Sequence, residues 1–458
     1  MNDAPRQARR FAALHSRNFR ALWIGLLVSN MGTWMQNVAN GWLIFQLTHS
    51  PLWLGFLGLS FALPMTILPL FSGTIVDRTN RIRLLWITQT GMMLVAFALA
   101  ALSWLGVINV WEILGGSFVS SALLAFDNPA RQALVPELVP RTDLLNALSL
   151  NSATYNGAAL VGPAIAGVVL GRFGASWLYL VNGLSFAAVM WALVVIRGVR
   201  THSGGKASSF RDSMGAGFSF AWRNRLVAIL LGLSAVAAIF GRGYQNLLPL
   251  FAGDIWQGGP EGYGILLAAG GAGAFVGAFA LASLRRVPRQ TAMLIGSGVV
   301  FAASIMAFAL APTYWIGFAC LFMAGVSSTV MGTLIGTFIQ IETPNELRGR
   351  VMSLYAITLI GLPSLGALVV GALAEALGGV SGAPRAVLLG AIVFLVLLAL
   401  ASPTIARAHI DALATRSAET RQRDAQQSAE ASMAAADPEE LVGLCDVSDG
   451  SGSSPKRP

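Results

Sequence analysis

Between Leu84 and Val107 the chain carries no Asp, Glu, Lys or Arg, and the same is true from Ala386 to Ser402. A run of this length matches the roughly 20 apolar residues that a helix needs to cross the ~30 Å hydrocarbon core of a bilayer, and it leaves no polar face to turn toward water. Such runs recur along the whole sequence. Apolar residues make up 55% of it and charged residues only 11%, against roughly 25% charged in a soluble domain. The expected fold is therefore an all-α polytopic membrane protein.

Apolar stretches between polar or Gly/Pro breaks lie near 19–46, 52–75, 84–106, 109–129, 145–170 and 175–196. After the Ser- and Arg-rich segment Arg197–Arg225, six more lie near 226–250, 262–283, 290–311, 314–340, 350–377 and 384–406. This reading gives a cytoplasmic segment 1–18, a first six-helix bundle 19–196, a cytoplasmic loop 197–225, a second bundle 226–406 and a tail 407–458. The tail is rich in Ala, Ser, Gln and Glu and cannot bury enough surface to fold alone. The segments VPELVPRTDLLN (Val135–Asn146) and IETPNELRGRVMS (Ile341–Ser353) follow the fourth and tenth stretches. Each joins an acid near Pro to Arg and then to a new span, so the two bundles are expected to be pseudo-symmetric.

With the chain start placed inside, every Lys and Arg except Arg172, Arg242 and Arg385 falls in a cytoplasmic segment. The positive-inside rule then sets both termini in the cytoplasm, across a bacterial-type inner membrane, and explains the net charge of +9 without nucleic acid. The first twenty residues carry five arginines and no apolar core, so no cleaved leader is expected. Cys320 and Cys445 make neither a disulfide framework nor a metal cluster, and His15, His49, His202 and His409 are dispersed. No metal site, cofactor or enzymatic centre is expected. Gly205-Lys206 lacks the rest of a nucleotide-binding loop, and Gly273 and Gly277 read as small-residue helix packing rather than dinucleotide binding. The expected partners are the bilayer and a small-molecule substrate, with the chain acting as a monomer.

Several polar residues inside or beside the spans are candidates for chemistry. Asp77 and Arg81 are four apart, a spacing at which acid and base meet where the loop is helical, and Asp127 closes the fourth span on the same membrane face, so these residues either form an Asp77–Arg81–Asp127 cluster that locks one state or are interfacial charges that mark topology. Asn30, Trp34 and Asn37, continued by Gly41, form one face of the first span, which either lines a cavity or packs against another helix. Arg242, Gln245 and Asn246 share a face of the seventh span. An arginine there costs at least about 2.5 kcal/mol on insertion scales, so it either serves a substrate or snorkels to an interface. The fifth span offers Tyr155 beside Asn151, and its Gly162, Pro163 and Gly167 permit close approach and a bend, as a hinge or a leak seal. Glu112, near the outer end of the fourth span, is either a proton carrier or a wetted end residue.

The stretch Gly73-Thr-Ile-Val-Asp77-Arg78-Thr-Asn80-Arg81 resembles the cytoplasmic loop signature of the major facilitator superfamily, and it lies between the second and third spans, where that signature belongs. RNFRALWIGLLVSNMGTWMQ from Arg17, NPARQALVPEL from Asn128 and ALSLNSATYNGAALVGPAIAG from Ala147 are similar to an exporter branch of that superfamily. The resemblance covers roughly residues 15–405. It implies twelve transmembrane helices in two six-helix bundles, a central cavity open alternately to each side, and proton-driven export of small amphipathic, drug-like or siderophore-like molecules. It also gives Asp77, Arg78, Arg81 and Asp127 a switching role, with Asp77 facing the start of the eleventh span near Gly349–Val351, and likens Gly162-Pro163 to the signature of drug/proton antiporters. Two departures stand out: Asn80 replaces the usual Gly, and Ala159 stands where relatives often carry an intramembrane Arg. Beside export, an importer and a non-transporting sensor or assembly partner are the alternative expectations.

Overall fold

The computed structural model describes residues 11–69, 75–76, 79–196, 218–284, 289–407 and 428. The chain forms one compact unit over Met1–Ser402 and a second over Pro403–Pro458. The helices are α1 (Arg17–Thr48), α2 (Pro51–Ile67), α3 (Arg81–Trp104), α4 (Val110–Leu138), α5 (Leu144–Phe173) and α6 (Ala175–Val195), then α7 (Arg225–Ile255), α8 (Gly259–Ser283), α9 (Gln290–Ala309), α10 (Tyr314–Glu342), α11 (Asn345–Ala376) and α12 (Gly379–Arg407). Among the described residues the ten from α3 to α12 are long and apolar enough to cross a membrane. The other two fall short for separate reasons. Asn30, Gln36, Asn37 and Asn40 dilute the hydropathy of α1, and α2 is 17 residues long. This is an all-α polytopic fold with its helices at the twelve expected places.

Successive helices alternate in direction, so the molecule has a near face, where α1 begins, and a far face, where α1 ends. In the first set of six, α1 packs on α5 and α6, α3 on α4 and α6, and α2 on α4. In the second, α10 packs on α8 and α9, and α11 packs along α7. The near end of the first set has an apolar core of Phe19, Leu22, Leu84, Leu85, Leu134, Val135 and Val189. Burial there extends α4 beyond its expected end at 129. Ala130, Leu134, Val135 and Leu138 face this core, and the helix continues through Pro129 and Pro136 as far as Leu138.

The matching corners after α4 and α10 are alike in backbone. Val139 and Pro140 are extended, as are Thr343 and Pro344, and a new helix starts within a few residues of each. Proline disfavours helical geometry at the residue before it, so each Pro ends one span and sets the entry to the next. Asn80, the departure from the loop signature, caps α3: its side chain accepts hydrogen bonds from the backbone N–H groups of Ile82 (3.0 Å) and Arg83 (3.2 Å).

The sharpest irregularity is α7. A regular helix runs from Arg225 to Val236, gives way to a π-helical turn over Ala237–Gly241, tightens to 3-10 geometry over Gly243–Leu247, and ends in a second π turn over Phe251–Ile255. Arg242 sits at the join, with φ −111° and ψ −11°. Such interruptions leave backbone groups off the regular ladder and are found in membranes where they are buried in protein or line a cavity.

Candidate functional site

The two helix sets meet along two seams, α2 with α11 and α5 with α8. Both seams are lined by glycine set against backbone. A Cβ at Gly55 would stand 2.9 Å from Leu368 Cα, and one at Gly264 would collide with Pro163 O and come 2.7 Å from Gly167 Cα. Similar clashes would occur at Gly167 against Pro260 O and at Gly371 against Pro51 O. Small residues let helices approach backbone to backbone, which is how packing holds helices together in lipid. These contacts engage residues 51–66 of α2 with 361–371 of α11, and 159–171 of α5 with 260–271 of α8, so the seams are tight over the far half of the molecule.

Polar and aromatic contacts finish the far end. His49 Nδ1 lies 3.1 Å from Asp254 Oδ2, the Ser50 hydroxyl donates to Glu375 Oε2 at 2.8 Å, and Trp42 stacks on Tyr263. A cavity of about 400 Å³ remains there, lined by Trp42, Phe45, Gln46, His49, Gly253 and Gln257.

In the near half of the first set, Asp127 is wholly buried. Its Oδ1 accepts from the Thr88 hydroxyl (2.9 Å) and Gln89 Nε2 (2.8 Å), and Arg131 Nε stands 2.6 Å from Oδ2. Arg131 also donates to Asn128 Oδ1 at 2.6 Å. Arg81 instead pairs with Glu137 and donates to Ala133 O at 3.1 Å. Arg81 and Asp127 thus belong to separate pairs rather than to the expected cluster. The physical reason is the longer α4, whose last turns place Arg131 one turn from Asp127 and carry Glu137 up to Arg81. Asp77 and Arg78 lie outside the described residues; of their expected counterpart on α11, a Cβ at Gly349 would meet nothing within 4 Å.

The other singled-out residues are spread over the seams and the interior. On α1, Asn30 and Trp34 are half-buried and Asn37 is exposed. Gly162 abuts Trp34, and Gly41 abuts the Tyr263 hydroxyl. Gly162, Pro163 and Gly167 lie in an unbroken α5, with Pro163 and Gly167 on the α8 seam. Gln245 is exposed, and Asn246 Nδ2 would be 2.9 Å from a Cβ at Gly58. Arg242 is half-buried and, among the described residues, has no acidic partner. Glu112 is a capping residue: it accepts from the Asn109 backbone N–H at 2.9 Å and from Asn109 Nδ2 at 3.0 Å.

The span-by-span reading missed a second polar stripe on α1, one that faces α6. Asn182 Nδ2 donates to Gln36 Oε1 at 2.6 Å, and the fully buried Tyr179 hydroxyl donates to Asn40 Oδ1 at 2.8 Å. The available signal was Gln36 and Asn40 at helical spacing with Gly25, Ser29 and Gly32. Their partners lie over 130 residues away in sequence.

Among the described residues no group of His, Cys, Asp and Glu could hold a metal ion.

Comparison with known proteins gives a consistent picture. The family model described as a transmembrane secretion effector matches residues 8–432. The staphyloferrin A transporter of Staphylococcus aureus is 24% identical over 356 residues, covering 76% of this chain and 87% of that protein. The enterobactin exporter EntS of Shigella boydii is 27% identical over 409 residues, covering 83% and 92%. Among solved structures, a bacterial homologue of the human lysosomal transporter Spinster superposes with a TM-score of 0.67 at 14% identity, over 88% of this chain and 99% of the other.

Proposed function

The chain belongs to the transmembrane secretion effector family of the major facilitator superfamily, and we propose that it exports small amphipathic or siderophore-like molecules by alternating access, driven by the proton gradient. It is a multi-pass secondary transporter and not an enzyme. The observation that carries the mechanism is the seam geometry: glycine-on-backbone contacts close the far half of the molecule along α2–α11 and α5–α8. The loop-charge asymmetry supports a cytoplasmic chain start, as in a bacterial inner membrane, so this is the conformation closed to the outside. Export requires those seams to part while the near half closes, a rocking of one helix set against the other.

Asp127 is the carboxylate best placed to take part in coupling. It is the fully buried acid among the described residues, and protonating it would release Arg131 from its partner. The relatives, an enterobactin exporter and a staphyloferrin A transporter, favour a siderophore-like substrate. No cofactor is required, and the monomer suffices because the seams lie within one chain.

The test is accumulation of a panel of dyes, antibiotics and siderophores in cells with and without the protein, repeated with Asp127→Asn, Asp77→Asn and a protonophore. Lower accumulation that depends on the gradient and on Asp127 is the expected result. Higher accumulation would establish an importer, and gradient-independent efflux would remove the proton from the mechanism.

A further inference from the structure

Arg242 is placed unusually for a membrane arginine. It stands at the join between the π and 3-10 segments of α7, 17 residues from the start of a 31-residue span. Its neighbours account for the other directions: Phe240 abuts Gly390 of α12, Gly241 abuts Phe301 of α9, Gly243 abuts Gly366 of α11, and Asn246 reaches Gly58 of α2. The Arg242 side chain itself is half-buried, and no carboxylate among the described residues pairs with it. By contrast Arg81 has Glu137 and Arg131 has Asp127. An unneutralised guanidinium in the interior of a membrane protein marks a place where negative charge is meant to arrive.

We propose that Arg242, presented by the break in α7, is the binding group for an anionic oxygen substituent of the substrate, so that the transported molecules are acids rather than cations or neutral compounds. This rests on the reading of the chain as a transporter and narrows its substrate class. The guanidinium offers two parallel N–H donors to a carboxylate or a deprotonated catechol. The exposed Gln245 stands three residues further along the same irregular segment.

The experiment is a thermal-unfolding screen of the purified full-length protein in detergent against citrate, benzoate and 2,3-dihydroxybenzoate, each paired with its neutral amide. Wild type is expected to be stabilised by at least one acid and not by its amide. Arg242→Gln should bind that acid about tenfold or more weakly, and Arg242→Lys should fall between the two. Arg242→Gln is also expected to unfold at the same temperature as wild type or higher without ligand, since it removes a charge that has no partner. Two results overturn the assignment: stabilisation by no acid in the panel, or equal acid binding by wild type and Arg242→Gln. A catechol amide that binds as well as its acid would place the recognised charge on the catechol rather than on the carboxylate. Binding is read at equilibrium, so loss of energised efflux with acid binding intact would count against the transport mechanism and leave this site standing.

Discussion

The two helix sets handle their polar groups in opposite ways. In the first, α1 runs unbroken through 32 residues, and its amides are satisfied by side chains of α6, Gln36 by Asn182 and Asn40 by Tyr179. The buried acid of that set, Asp127, is closed within an Arg131, Thr88 and Gln89 network. In the second, the corresponding span α7 changes its winding four times, α11 is interrupted at Gly361, and the central Arg242 has no acidic partner among the described residues. One half satisfies charge internally and keeps its backbone regular, and the other leaves charge unsatisfied on irregular backbone. On the function proposed above, the second half can meet a solute's charge without first breaking an internal pair, which makes the first half the frame and the second the binding and yielding element.

The harshest test of that contrast removes a charge from each half. Asp127→Ala leaves Arg131 buried without its acid and is expected to cost about 3–5 kcal/mol in stability. Arg242→Gln should cost nothing, because its charge has no acidic partner among the described residues. Unfolding of both variants in one detergent by circular dichroism reads the difference directly. Adding Arg131→Gln to Asp127→Ala should recover most of the loss, and no recovery would mean that the Thr88 and Gln89 bonds, rather than the ion pair, hold this region.

The seam shared by the halves comes next in size. Gly264→Val places side-chain carbons against Pro163 O and Gly167 on α5, an overpacking that costs typically 1–3 kcal/mol. Because the contact exists only while the far half is closed, the cost falls on that state alone. Trp42 lines the far-end cavity and is buried against Tyr263 of α8, so Trp42→Cys in a background lacking Cys320 and Cys445 reports on opening. Labelling by a thiol reagent should be about tenfold faster with Gly264→Val. An unchanged rate would show that the seam does not gate the far side.

The extent to which the sequence announced all this differs between the halves for physical reasons. Span positions were legible because each is a local hydrophobic run: 84–106 was expected and Arg81–Trp104 is found, and 290–311 became Gln290–Ala309. The Arg81–Glu137 pair was not legible, since its partners lie 56 residues apart and meet only because α4 continues beyond Pro136. In the first span the reading picked the stripe of Asn30, Trp34 and Asn37. The amides that bond to α6 are Gln36 and Asn40, on another face, and apolar periodicity is too flat in a lipid-embedded helix to separate the two. The break in α7 left only faint marks, Gly241 and Gly243 around Arg242 and Pro249 beyond, and glycines are common in every span here.

Backbone dynamics should sharpen the contrast without any mutation. Amides of 239–247 in α7 lie off the regular helical ladder, whereas those of Gly32–Gly41 in α1 lie within it and face the packed side chains of α6. Hydrogen exchange of the detergent-solubilised protein is expected to be about tenfold or more faster in the α7 segment. Equal protection would mean that π and 3-10 winding is held as firmly as the α-helix, and the yielding role of the second half would fail.

The smallest expected effect concerns single hydrogen bonds. Tyr179→Phe removes the 2.8 Å bond to Asn40 between two regular helices, and Ser234→Ala removes the 2.7 Å contact with Thr358 between α7 and α11. Interhelical bonds of this kind average about 0.6 kcal/mol and reach about 1.7. If the first half is rigid, its helices cannot shift to find other partners, and a double-mutant cycle of Tyr179→Phe with Asn40→Ala should give coupling at the upper end of that range. In the second half Ser234 stands just before the first π turn, where α7 can rewind slightly and offer the Ser234 hydroxyl a freed carbonyl, so the cycle of Ser234→Ala with Thr358→Val should fall at or below the average. The order of the two couplings matters more than either value. A larger coupling across Ser234 and Thr358 would make α7 the more tightly determined element, and its irregular winding would then be fixed structure rather than a means of movement.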